Sequence, residues 1–392
     1  MKILHTSDWH IGKKTENIER LPEQALVLDE ICRIAEAEAV DVVIVAGDVF
    51  DTYVPSAEAE ELFYDRVVKL ARDRAVVIIA GNHDDATRLC AAAPLANKHN
   101  VYFSGNINFN RLTAESKEKR VFLSECGEGY ACFKNQDGEA VYFGLLPYPT
   151  EARFNEKKSD LSHGERISAW LNKCMGETAR NLPSVLVSHL FAMGGKTSES
   201  EREITLGGSK IVPLEAFPEA MYVALGHLHK RQVISKSRNI IYSGSILQYS
   251  FDEINIDKSV TVFDITESGV SDIREIKLTE GKRLARLSAC SVADAATVLS
   301  GYGDYWVELT LKLNGPLGRE ENNFLRKNYP NVISLKLEIA SEAGYRVKGR
   351  KDLDSTMLFE QCYERKYGSA PDKALVELYL SLLGEVENNE AD

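Results

Sequence analysis

The sequence contains no run approaching the roughly 18 apolar residues that a membrane-spanning helix needs, so no membrane span is expected. Cysteine is sparse: seven in 392 residues, scattered and never in C-x-x-C spacing. That number and spacing argue against a disulfide frame or a zinc ribbon, and predict reduced thiols in a cytoplasmic protein. The opening MKILHTSDWH is apolar too briefly to suggest a secretory signal. Internal repeats and low-complexity tracts are absent. Positive charge is also short, with 47 Lys and Arg against 59 Asp and Glu, a net charge of −12. A chain this acidic is not a simple basic nucleic-acid coat. A local basic patch or bound divalent metals, which reverse the local field, would still allow nucleic acid to bind. What remains is an ordinary globular mixture, 44% apolar and 27% charged, long enough for two or three domains.

Residues 2–5 form a short apolar strand ending at Ser7-Asp8. Pro22 opens a helical pattern to about Ala39, and Pro55 a second to about Asp73. Between and after them lie DVVIVAGD (41–48) and AVVIIAGNHD (75–84), continuous apolar runs that stop at a glycine and a polar cluster. Such runs fit strands covered on both faces, and the strand–helix alternation predicts a parallel sheet with helical crossovers. From Val101 shorter strands separated by Gly, Asn and Asp predict a second sheet with hairpins, then a helix near 162–178 and strands at 183–189, 221–229, 239–245 and 259–266. Beyond a charged boundary near 275–285 the pattern reads β-α-β-α-β. The expected division is 1–278, a main domain; 279–341, a small α+β domain; 342–353, a basic linker; and 354–392, two helices and an acidic tail.

Five of the eight histidines sit in short motifs, most of them directly after an apolar strand: Asp8-Trp9-His10, Gly47-Asp48, Gly81-Asn82-His83-Asp84, Ser188-His189 and Gly226-His227-Leu228-His229. Strand ends along one edge of an open α/β sheet converge on a crevice, so residues distant in sequence meet there. Asp8, His10, Asp48, Asn82, His189, His227 and His229 offer carboxylate, imidazole and amide oxygen without thiolate, a set suited to Mn, Fe or Zn. Seven donors exceed the need of one metal with an open position, and fit two metals sharing a carboxylate, with Asp48 the natural bridge. Two metals about 3.5–4 Å apart can clamp both oxygens of an in-line displacement at phosphorus. Singly, each motif has a plainer reading: H-x-H could alternate across a strand, and G-N-H-D could be a turn. Five in this order favour the metal site.

This series of motifs resembles the calcineurin-like metallophosphoesterase superfamily. The longer segments ILHTSDWHIGKK, GDVFDTYVPS, SHLFAMGGKTSESERE and SGSILQYSFDE resemble the SbcD-type exonuclease subunits, and the likeness covers nearly the whole chain. It implies an α/β fold, α+β overall: a two-sheet sandwich flanked by helices, with a small capping domain and a C-terminal helical segment. It implies that Asp8, His10, Asp48 and His229 hold one divalent metal and Asp48, Asn82, His189 and His227 the other, both Mn²⁺. His83 would face the scissile phosphate, and Asp84 would orient His83. Some relatives of the wider nuclease family carry histidine where Asp51 stands here, so that residue's contribution is not carried over.

Lys13, Lys14, Lys196, Lys230 and Arg231 lie on the motif loops and are candidate contacts to DNA phosphates. The resemblance further implies double-strand exonuclease and single-strand endonuclease activity in DNA repair. It also implies a homodimer within a heterotetramer, with an SbcC-like coiled-coil ATPase gripped by the C-terminal helices. There Met357, Leu358, Cys362 and Tyr363, and Leu375, Val376, Tyr379, Leu380, Leu382 and Leu383, make broad apolar faces. Two alternatives are a phosphodiesterase or phosphatase acting on nucleotides or small phosphoesters, and a non-catalytic scaffold. The second expects eroded ligands, and here every position is filled.

Overall fold

The computed structural model describes residues 1–106, 118–150, 161–176, 181–201 and 211–339, with isolated positions between and beyond these. One compact unit comprises Met1–Lys312 and Leu317–Glu338, and a second Leu313–Pro316 and Ile339–Asp392.

The first unit is built on two mixed sheets. The first runs Gly269–Lys277, Ser259–Thr266, Lys2–Thr6, Val42–Ala46, Ala75–Ile79, Val101–Ser104. Its last four strands are parallel, and Ser259–Thr266 lies antiparallel to Lys2–Thr6. The second runs Gln232–Ser235, Ile240–Tyr242, Tyr222–Gly226, Ser184–His189, Ala140–Leu146, Tyr130–Asn135, Val121–Gly127. Its central strands are parallel, and its far end is the expected set of hairpins.

Strand alternation explains the continuous apolar runs. Val42, Ile44 and Ala46 face inward, packing with Ile3, Val77 and Ile79 against Phe143, Val185, Val187 and Ala224 of the second sheet. Val43 and Val45 face outward, under the helices Leu21–Ala37 and Ala57–Ala71. The helix His163–Cys174 covers the outer face of the second sheet through Trp170 and Leu171. The sandwich therefore has helices on both flanks, and its strands must be apolar on both faces.

Helix starts follow local chemistry. Pro22 occupies the first turn of Leu21–Ala37, as expected. The second helix begins later than Pro55 predicts: Ser56 is its N-cap, its hydroxyl accepting from the Ala59 amide, and the helix runs Ala57–Ala71.

Past Lys277 come Arg283–Ala289, Val292–Leu299, Tyr305–Leu313, Arg319–Asn328 and Val332–Ile339, the β-α-β-α-β order read from the sequence. Its three strands form a separate sheet. Contacts to the main body are polar and specific. Glu23 accepts from the Lys282 amide at 2.6 Å and from the Trp306 indole at 2.8 Å, and Gln248 accepts from the Leu284 amide at 2.7 Å.

The basic linker lies outside the described residues, as do Met357, Leu358, Cys362, Leu380, Leu382 and Leu383. Tyr363, Leu375, Val376 and Tyr379 are helical, and within this second unit Phe359 stacks on Tyr379 with ring centroids 4.3 Å apart. Among the described residues no helix is long and apolar enough to cross a membrane. Among the described residues Cys32, Cys132, Cys174 and Cys290 are free thiols.

Candidate metal centre

Each motif lies at the C-terminal end of a strand, and the strands belong to both sheets. Asp8 and His10 follow Lys2–Thr6, Asp48 follows Val42–Ala46, and Asn82 and His83 follow Ala75–Ile79. His189 ends Ser184–His189, while His227 and His229 follow Tyr222–Gly226, so H-x-H lies in a loop beyond its strand.

The first two loops are zipped together. The Asp8 amide donates to Gly47 O, the His10 amide to Asp48 O, and the Ile11 amide to Val49 O, at 2.9–3.0 Å. This path bends sharply at the donors: Asp8, His10, Asp48 and His227 have φ of 52°, 46°, 50° and 106°. Non-glycine residues reach the left-handed region only at a cost, and such strain gathers at functional sites.

Glycines allow the sheets to close on one another. A Cβ on Gly226 would lie 1.8 Å from Ala46 O, and one on Gly81 2.1 Å from the Asp48 carboxylate. Gly47 similarly makes room for the His189 ring.

The donor atoms converge. His10 Nε2 lies 2.9 Å from His229 Nε2 and 3.6 Å from Asp48 Oδ2. Asp8, His10 and His229 can offer ligand atoms within 4.8 Å of one another, as can Asp8, Asp48 and His189. On the other side, Asn82 Oδ1 lies 2.9 Å from both His189 Nε2 and His227 Nδ1, and His189 Nε2 is 3.4 Å from Asp48 Oδ2. The structure thus brings all seven predicted donors together, with Asp48 between the two subsets.

His83 shares this reach with His10 and Asp48. Its backbone amide donates to Asp48 Oδ1 at 2.8 Å, and its ring Nδ1 lies 2.7 Å from Asp51 O. The Asp84 carboxylate accepts from the backbone amides of Gly81, Val49 and Phe50 at 2.8–3.1 Å. It therefore braces the second and third motif loops against each other through the main chain.

Burial and mutual charge set the protonation pattern. Burial pushes His10 down to about 3, and burial reinforced by His189 does the same to His227, so both present lone pairs. Burial raises Asp8 to about 6 against the pull of His189 and His229, and burial with the Asp48 charge raises Asp84 to about 6. Burial opposes a charge on Asp48 too, but His189 holds its carboxyl well below the usual range. Burial alone would lower His189, yet Asp48 raises it to about 9.

Two imidazole nitrogens at 2.9 Å beside buried carboxyl groups, one of them raised by burial, form an arrangement a divalent cation relieves: it takes the lone pairs and balances the charge. The donor set and its two-sided convergence fit two such cations. The ring nitrogens turned away from the centre are engaged as well. His189 Nδ1 donates to Ala46 O at 2.8 Å, and His229 Nδ1 to Ser200 Oγ at 2.6 Å. His10 Nδ1 lies 3.3 Å from Asp51 Oδ1.

The candidate phosphate contacts each have a local partner. Lys13 stands beside the centre, 2.7 Å from Asp51 Oδ1. Lys14 pairs with Glu19 at 2.9 Å, Lys230 with Asp252 at 3.5 Å and Arg231 with Glu275 at 3.2 Å. The Lys196 main chain pairs with the Gln232 side chain, its amide donating to Oε1 at 2.9 Å.

Sequence reading missed Ser200, Glu201, Glu253 and Lys258 behind His229, and Arg153 behind the third motif. Arg153 donates to Gly81 O at 2.8 Å and Asp84 O at 2.7 Å. No spacing relates these residues to the ligands. The available signal was their place in the family-like segments, Ser200 and Glu201 in SHLFAMGGKTSESERE and Glu253 in SGSILQYSFDE, and the 0% exposure of Glu253 appears only in the fold.

Comparison with known proteins agrees with this geometry. Residues 1–231 match the family model of the calcineurin-like phosphoesterases. The chain is 34% identical to the SbcD component of the SbcCD nuclease from Bacillus subtilis, covering 100% of each chain. It is 32% identical to the same component from Staphylococcus epidermidis over 72% of each. The chain therefore belongs to the calcineurin-like phosphoesterase family and, within it, to the SbcD nuclease subunits, metal-dependent phosphodiester hydrolases.

Proposed function

We propose that this protein is a dinuclear-metal DNA nuclease, the nuclease half of an SbcC–SbcD-type repair complex in the cytoplasm. It acts as a double-strand exonuclease and a single-strand endonuclease, with two Mn²⁺ ions. Asp8, His10, Asp48 and His229 hold one ion; Asp48, Asn82, His189 and His227 hold the other. The observation that carries this is the meeting of all seven donors around Asp48, in a chain alike over its full length to a nuclease component.

Bound there, the cations supply Lewis acidity toward the phosphate oxygens. The protein's own groups do the rest. The amide of His83 fixes the Asp48 carboxylate, and Nδ1–H of its ring donates to Asp51 O. That directs Nε2 to the scissile phosphate, where the imidazole stabilises charge or hands a proton to the leaving oxygen. Lys13 and the other loop cations guide the backbone. The Arg283–Ile339 sheet and its helices act as a capping domain, and residues 354–392 grip the base of the ATPase's coiled coil within a heterotetramer.

The test offers duplex DNA and a chromogenic phosphodiester with Mn²⁺ to the wild type and to Asp48→Ala. The wild type should degrade DNA, and the variant should lose both metals together and all cleavage. Turnover of the small ester alone would reassign the substrate, and two metals retained in the variant would remove Asp48 from the bridge.

A further inference from the structure

Behind His229 lies a polar chain, half-buried at Ser200 and buried at Glu253 and Lys258, that the hydrolytic scheme does not use. His229 Nδ1–H donates to Ser200 Oγ at 2.6 Å, and the Ser200 hydroxyl donates to Glu253 Oε1. Glu253 is 0% exposed, and its other oxygen accepts from Lys258 Nζ at 2.5 Å. Lys258, itself 8% exposed, donates also to His229 O at 2.8 Å and to Ser245 Oγ at 2.8 Å. The His229 amide donates to Glu201 Oε1 at 2.7 Å. Ring, carbonyl and amide of this one histidine are therefore each held by a separate partner.

Burying a carboxylate and an ammonium carries a desolvation cost that their attraction must first offset, so such a pair is weak evidence for stability. Its geometry is what needs explaining. A serine bridge from carboxylate to Nδ1 fixes the tautomer that leaves the Nε2 lone pair pointing to His10 and Asp8. Lys258 ties the same carboxylate to the backbone of the histidine it serves.

We propose that Glu253, acting through Ser200 and held in place by Lys258, is the positioning residue for His229 at the metal centre. The proposal rests on the dinuclear reading above, and it makes the two sites unequal: only the ion bound by His229 depends on the relay.

Mn²⁺ titration of the full-length protein, followed by the free-ion electron paramagnetic resonance signal, tests this without DNA or turnover. Ser200→Ala removes the bridge without stranding a buried charge. It should weaken one of the two sites about 10–100-fold, the usual cost of losing a second-layer partner. Ser200→Thr keeps the hydroxyl and should restore that site. Glu253→Gln should weaken the same site, and Glu253→Gln with Lys258→Met should keep that defect while recovering any loss of metal-free melting temperature. Wild-type affinity at both sites in Ser200→Ala, equal loss from both sites, or recovery of metal affinity in the double variant would each overturn the relay. A wild type that binds no Mn²⁺ would instead sink the dinuclear reading itself.

Discussion

His83 is the residue whose side chain has the most open assignment, because its ring lies within ligand reach of His10 and Asp48. The sequence suggested its role only by resemblance and by counting, since it adjoins Asn82 yet is surplus to two filled sites. His83→Gln should retain both metals and DNA binding while turnover falls by about 10²–10⁴, the usual worth of one general acid. Metal analysis alongside single-turnover cleavage decides it; loss of an ion would make His83 a ligand. Other features at this scale were not legible. Nothing in D-x-H or G-D announces that Asp8, His10 and Asp48 sit at positive φ, because neither Asp nor His is obliged to. That conformation follows from the zipping of two loops from neighbouring strands. Gly226 could be read as a strand-end glycine, but its need to clear Ala46 O depends on a second sheet that sequence does not align with the first.

At the scale of elements the sequence was readable wherever packing agreed with local preference. The runs at 42–46 and 75–79 are apolar at every position because both faces are covered, and their ends coincide with the motifs. Boundaries slipped where capping decided them, as at Ser56 after Pro55. The loop cations were legible by position alone. Shared position on motif loops does not fix side-chain direction, and Lys14, Lys230 and Arg231 each found an acidic partner.

The three-stranded sheet carries its own electrostatic support. Glu308 is 3% exposed, accepts from Arg286 Nε, and lies 2.6 Å from Lys336 Nζ. Burial opposes its charge, but Lys336 and Arg286 prevail and hold its carboxyl below the usual range. A carboxylate with a depressed folded-state value stabilises above the ordinary glutamate range, and that gain is lost as pH falls through the depressed value. Glu308→Gln should cost on the order of 1 kcal/mol at neutral pH, discounted because both partners are half-exposed. The deficit should shrink by pH 3. Urea melts of both proteins at the two pH values measure it, and a deficit independent of pH would exclude the ion pair as the cause.

For the whole molecule, the C-terminal helices raise the question of what they are for. The apolar pattern at 354–384 suggested more surface than a short pair could bury, and the Phe359–Tyr379 stack shows that some of it is buried within the unit. Deleting residues 352–392 should leave a folded, Mn²⁺-dependent nuclease that no longer captures an SbcC-like ATPase. Pull-down with undiminished affinity would remove the partner role, and an insoluble truncation would mean that the pair folds back on its own chain.

The seven donors come from loops of both sheets, which otherwise meet through aliphatic and aromatic side chains. An ion held by donors from both sheets would be a rivet between two layers, and its binding would be linked to unfolding. Chelation should lower the melting temperature by a few degrees, since an ion at 100 times its dissociation constant contributes about 2.7 kcal/mol. The same linkage turns a melting curve into a selectivity scale. Ranking the rise in melting temperature across Mn²⁺, Mg²⁺, Fe²⁺ and Zn²⁺ at equal free concentration ranks affinity without any substrate. The cation the scaffold favours can thus be identified separately from the cation that cuts fastest.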